Sequence, residues 1–294
     1  MYTDEFKVTE VFCASKGRKA GEFELPPLTY DGVGYQFCLV PLHSQLVLTN
    51  NTHLIEADMS KQRKSRLIRP LAEGSEWWRL AVSREFVVGF LSDYTVCILD
   101  RQYRLIRRWG GIGTQGMFRE YIYPDRMYLT STGQLFALFS GRRRLYQYTL
   151  EGQLLAHWEG VQSVAFDLGG QLWFVGSASI PRANAVPISE RLQKMPNGDW
   201  RLFGVDQQRC FFWASDTGLV TQVACTSSVG ELLWRVSLNG ARGVLKSLRR
   251  KSQVDWLEVD ADGAVYALGW TYSGLHNTVK VFRIERDVRK AGTD

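Results

Sequence analysis

Residues 105–160 read LIRRWGGIGTQGMFREYIYPDRMYLTSTGQLFALFSGRRRLYQYTLEGQLLAHWEG. Four short apolar runs lie in this stretch, separated by turn formers. Residues 126–129 read as a first strand, and Thr132 and Gly133 turn the chain. Residues 135–139 are a second strand, apolar on both faces, closed by Ser140, Gly141 and Arg142. Residues 145–148 alternate as a half-exposed strand does, and 154–158 follow the turn at Glu151 and Gly152. Four strands joined by tight turns over about forty residues form the repeat unit of a β-propeller, a blade.

Weaker copies of this rhythm recur along the chain and predict an all-β, six-bladed β-propeller of four-stranded blades. The blades fall at about 35–70, 76–110, 126–158, 162–197, 199–238 and 254–286. The last copy holds three strands. Residues 6–12 alternate and are expected to join the last blade as its outer strand, closing the ring and covering an open sheet edge. The expectation is one domain over 1–294, with 287–294 a polar tail. Residues 177–199, with three prolines, break the pattern. Here the fourth blade has either a long inserted loop followed by poor outer strands or no outer strand at all.

Composition narrows the classes. A chain of 294 residues with 45% hydrophobic and 13% aromatic residues is globular. The N-terminus lacks a basic segment followed by an apolar one, and no apolar run is long enough for a transmembrane helix. Five scattered cysteines without a CxxC pair indicate free thiols in a reducing cytoplasm, and the four histidines show no metal-ligand spacing. No cofactor is expected.

The residues from Trp109 to Phe118, then Pro124, then Ser131 to Leu135 and Gly141 to Leu145 carry a family resemblance. The third blade resembles an NHL-type repeat, with its Gly-rich loop ending in G-x-F-x-x-P, its small-residue turn and its N-x-R-[IV] corner. Arg142 stands where that pattern has Asn, Arg144 keeps the Arg place, and Phe118 and Pro124 are further apart than usual. Gly21 to Pro26 restate the G-x-F-x-x-P element, and Asp260 to Tyr266 restate the D-x-x-G-x-[VIL]-Y turn. The resemblance implies the six-bladed fold.

Six-bladed propellers include metal-dependent lactonases, and Asn50, Asn51, Asp93, Asp216 and Asn277 are candidate ligands of a central metal. The same residues are ordinary turn formers, and that reading is preferred. No GxSxG or other nucleophile motif is present, and GGIGTQG lacks the Lys-Ser/Thr and helix of a phosphate loop. The net charge of +6 permits an acidic partner. The strand phase places Arg142, Arg143, Arg144, Arg182, Arg191, Arg242, Lys246, Arg249, Arg250 and Lys251 on one face as a basic binding surface. Tyr94, Tyr146 and Tyr272 lie near these loops as stacking candidates. The expected function is a non-enzymatic protein-interaction platform, a scaffold or recognition subunit of a multi-protein complex. The alternatives are an RNA- or ssDNA-binding propeller using the basic face, as in some NHL proteins, and a metal-dependent lactonase-like hydrolase.

Overall fold

The computed structural model describes residues 5–15, 36–41, 43–49, 54–60, 64–68, 76–110, 123–181, 185–188, 199–217, 220–240, 243–245, 252–271 and 278–287. Its strands make six antiparallel sheets, and the fold is a six-bladed β-propeller. The first sheet orders β2 (Gln36–Leu39), β3 (Gln45–Thr49), β4 (Leu54–Asp58) and β5 (Lys64–Ile68). The second orders β6 (Trp77–Val82), β7 (Phe86–Leu91), β8 (Val96–Asp100) and β9 (Leu105–Trp109). The third orders β10 (Arg126–Leu129), β11 (Gln134–Phe139), β12 (Arg144–Thr149) and β13 (Leu154–Glu159). The fourth shows three strands among the described residues: β14 (Val161–Phe166), β15 (Leu172–Gly176) and β16 (Ala185–Pro187). The fifth orders β17 (Arg201–Val205), β18 (Phe211–Thr217), β19 (Val220–Thr226) and β20 (Leu232–Ser237). The sixth orders β21 (Ser252–Val259), β22 (Val265–Thr271), β23 (Thr278–Arg286) and β1 (Phe6–Ser15).

The N-terminal strand therefore joins the last sheet as the sequence predicts, and it runs further than 6–12. It pairs with β23 from Phe6 opposite Arg286 to Ser15 opposite Thr278, with a bulge between Glu10 and Phe12. Each second strand is packed on both faces: β7 and β11 are buried at every position after the first. The outer strand β13 alternates between half-buried and exposed, as a strand with one face in solvent must.

A repeated turn explains why the sequence rhythm is legible. An Asp, Thr or Ser at the first position accepts the N–H four residues on, and the residue between them, at the fourth position, is left-handed. Asp167 Oδ1 accepts from Gln171 N, Asp206 Oδ1 from Cys210 N and Asp260 Oδ1 from Ala264 N. The left-handed residues are Gly170, Arg209 and Gly263. Thr130 with Gly133 and Ser227 with Gly230 build the same turn. Only a short polar side chain reaches back to the backbone in this way, and glycine adopts positive φ without steric cost.

The chain divides into two compact units. One comprises Pro26–Ser163 and Gly176–Ala185 and contains the first three sheets. Its core joins neighbouring blades: Trp77, Leu80, Val87 and Leu99 pack with Val47 and Leu54, and Val88, Phe90 and Ile98 pack with Leu135, Ala137 and Tyr146. Hydrogen bonds link its first strands too, Gln36 Nε2 donating to Trp78 O at 3.0 Å and Cys38 Sγ to Leu80 O at 3.3 Å. The other unit comprises Met1–Leu25, Val164–Val175 and Val186–Asp294. There Trp173, Trp200, Phe211 and Trp213 form one core cluster, and Phe203, Phe212, Val265 and Phe282 belong to another.

Candidate functional site

Of the ten basic residues expected on one face, three are described. Arg142 ends a single 3-10 turn, Ser140–Arg142, between β11 and β12. Arg143 follows in the left-handed region at φ 54°, its N–H donating to Ser140 O at 3.0 Å. Both are exposed. Arg144 opens β12, and its Nη2 pairs with Glu159 Oε1 of β13 at 3.0 Å. The pair ties Arg144 across the two outer strands of its blade. Arg182, Arg191, Arg242, Lys246, Arg249, Arg250 and Lys251 lie outside the described residues.

Tyr146 is corrected. It is 2% exposed, packed against Phe139 and stacked on His157 with ring centroids 5.8 Å apart, so it has no face to offer a ligand. Tyr272, Asn50, Asn51 and Asn277 lie outside the described residues. Asp93 acts as a turn residue, and Asp216 lies near the end of β18, opposite Thr221. Asp93 Oδ1 accepts from Thr95 N and Oγ1, and its Oδ2 pairs with Arg108. Burial works to raise its carboxyl, but these bonds hold it below the usual carboxylate value. Asp216 pairs with Arg201 at 2.9 Å and accepts from Thr221 Oγ1 at 2.8 Å. Among the described residues no three His, Cys, Asp or Glu side chains are grouped to hold a metal ion.

A different cluster sits beside the Arg142–Arg143 turn, built from the second and third blades of one unit. Strand β6 carries a bulge between Trp77 and Arg79, so Trp78 is the extra residue and is re-aimed out of the regular alternation. Trp78 meets Tyr94 at 5.5 Å and Tyr123 at 5.4 Å, both edge to face, and Phe90 at 6.3 Å. Tyr94 stands on the β7–β8 turn at φ 61°. Tyr123 lies two residues before Asp125, which leads into β10. Trp78, Tyr94 and Tyr123 each remain partly in solvent, and Phe90 beneath them is fully buried.

Arg79 lies under this cluster at 7% exposure. Its Nε donates to Asp125 O at 3.0 Å and its Nη1 to Trp78 O at 2.7 Å. Its guanidinium carbon is 4.8 Å from the Tyr123 ring centroid. Burial lowers its pKa to about 10, against the opposing pull of Tyr123 and Asp125, so it stays a cation at neutral pH. Asp125 in turn ties the cluster to the arginine turn, its Oδ2 accepting from Ser140 N at 2.6 Å and Ser140 Oγ at 2.8 Å. The arrangement holds three partly open aromatic rings, a phenol against a fixed cation and, fastened through Asp125, a turn that carries two exposed arginines. Sequence reading missed it because a bulge leaves no mark in an apolar pattern. The tandem Trp77-Trp78-Arg79 at the head of a first strand was the available signal.

No protein-family model matches the chain, and no curated protein matches it by sequence. Among solved structures it is similar to a streptogramin B lyase, at 12% identity over 95% of this chain and 97% of that one, with a TM-score of 0.50. It is likewise similar to virginiamycin B lyase from Staphylococcus aureus, at 10% identity over 95% of this chain and 99% of that one, TM-score 0.51. Identity this low shows the propeller fold alone. NHL membership is not shown by it. It does overturn the expectation of a non-enzymatic interaction platform, because that expectation took a lone propeller to have no means of catalysis. Both similar proteins are enzymes, and the likeness spans nearly all of each. Among the described residues no helix is long and apolar enough to cross a membrane.

Proposed function

We propose that this chain is a propeller enzyme of lyase type, acting on a small molecule held at the Trp78–Tyr94–Tyr123 cluster. The observation that carries the reading is the Tyr123 ring set against the buried Arg79 guanidinium at 4.8 Å. A lyase removes a proton from one atom, expels a group from its neighbour and leaves a double bond. Tyr123 supplies a phenolic oxygen that takes the proton as phenolate and returns it as phenol to the expelled group, and Arg79 a cation able to hold the negative charge that develops on the reactant. The breadth of the likeness to the two lyases supports the class of reaction. The NHL-type character of the third blade belongs to this proposal, as does a reducing, cytoplasmic setting, which Cys13, Cys38, Cys97, Cys210 and Cys225, none of them in a disulfide, support.

The test is turnover. Purified protein is incubated with virginiamycin B and with a panel of esters and hydroxy acids, following new double bonds by absorbance and mass. The expectation is turnover of at least one compound, with Tyr123→Phe lowering kcat about 100-fold, the scale of a lost proton-transfer group. The melting profile should be unchanged. Absence of turnover across the panel, or full activity in Tyr123→Phe, would overturn the proposal.

A further inference from the structure

We propose that the aromatic–arginine cluster of the second and third blades is a binding site for a planar aromatic carboxylate; this deepens the lyase reading by naming the class of ligand its centre takes. Three independent features converge on it. The first is the β6 bulge, which spends an irregularity to place Trp78 among Tyr94 and Tyr123. Trp78 sits over buried Phe90 and stays partly in solvent. A flat ligand ring laid on the solvent side of these aromatics gains offset and edge-on ring contacts.

The second feature is charge. Arg79, nine-tenths buried, has Nε and Nη1 engaged, and among the described residues its Nη2 carries no hydrogen bond. Arg142 and Arg143 stand exposed on the turn that Ser140 fastens to Asp125. Arg79, Arg142 and Arg143 outnumber the carboxylates bound into the cluster, Asp125, whose Oδ2 accepts from Ser140, and Glu76, whose Oε2 accepts from Trp78 Nε1 at 3.4 Å. The balance favours an anionic group, and guanidinium is the side chain best matched to a carboxylate. A cationic ligand is disfavoured, because Arg79 already occupies the Tyr123 ring.

The third feature is backbone strain. Tyr94 and Arg143 both hold positive φ, at 61° and 54°, a conformation that side chains other than glycine and asparagine seldom adopt. Each stands at the connection between the second and third strands of its blade, one an aromatic ring and one a guanidinium. Tyr103 and Arg209 hold the same conformation in other turns, so what sets Tyr94 and Arg143 apart is their place, both at the second-to-third-strand connection of adjoining blades.

The experiment is isothermal titration of the whole protein with 4-hydroxycinnamate, with its neutral amide, and with cyclohexanecarboxylate. The carboxylate is expected to bind below about 1 mM, and both controls about 10-fold more weakly, the change that one lost ionic or stacking contact brings. Tyr94→Gly and Arg143→Gly fit the backbone without strain, so both fold, which melting curves verify, and each should weaken binding several-fold. Equal affinity for acid and amide, no heat at millimolar ligand, or unchanged binding in both glycine variants would each overturn the site. Binding without turnover of any panel compound keeps the site and removes the lyase reading. Turnover without carboxylate binding keeps the lyase reading and removes this ligand class.

Discussion

Gly89→Ala is expected to destabilise the protein by about 3 kcal/mol, at the upper end of the usual cost of overpacking. On general grounds the sign should be opposite, since alanine in a strand is favoured over glycine by roughly 0.5–1 kcal/mol. What decides it is Trp77. A Cβ at residue 89 would stand 2.1 Å from Trp77 Cζ3 and 2.3 Å from Cε3. Carbon atoms pack at about 3.5–4.0 Å, so the indole must retreat by about 1.4 Å. It has nowhere to go: Trp77 is 1% exposed and packed with Cys38, Leu80, Leu91 and Cys97. The backbone cannot yield either, because Gly89 pairs with Leu80 on one side and Cys97 on the other. Urea unfolding, followed by circular dichroism with the slope held constant between variants, measures the cost. In a Trp77→Leu background Gly89→Ala should lose most of its effect, the non-additivity of residues in contact. A Gly89→Ala protein as stable as the parent, or the same cost in both backgrounds, would refute the packing described for this blade.

Three further outcomes follow. Arg143→Gly, at φ 54°, should raise stability by up to about 1 kcal/mol in the same urea assay, because glycine pays nothing for the left-handed conformation. Burial, and then the charge of Asp260, push the Asp206 carboxyl above its ordinary value. The folded chain therefore holds that proton more tightly than the unfolded one, and this contribution to stability grows as pH falls through the raised value towards the ordinary one. Asp206→Asn should be more stable than the parent at neutral pH and lack that part of the pH profile; superimposable profiles would contradict the assignment. Removing residues 1–15 uncovers the β23 edge and should raise self-association by light scattering above that of the full chain.

Much of the fold was legible because its turns are chemical. Asp167, Asp206 and Asp260, each followed three residues on by a left-handed residue, mark the first hairpin of three blades directly in the sequence. The N-terminal strand was legible from a count, three strands at one end and a spare at the other. Position in a loop did not reveal the partner of Arg144: Glu159 lies opposite it only through the β12–β13 register. Tyr146 was misread for a similar reason, since the register that sets it against His157 also buries it. The Trp78–Arg79 cluster was illegible because it depends on a bulge and on adjacency of β6 and β10. Catalysis was discounted from the absence of motifs, although both solved propellers reported above as similar are lyases.

The site itself is tested most directly by fluorine NMR. The ten tryptophans are labelled with 5-fluorotryptophan, and Trp78→Phe identifies the resonance of Trp78. On titration with 4-hydroxycinnamate, the Trp78 resonance should move first and furthest, with the buried Trp77 beside it moving less. A Trp78 resonance that stays fixed while others shift, or a spectrum unmoved at saturating ligand, would contradict the account.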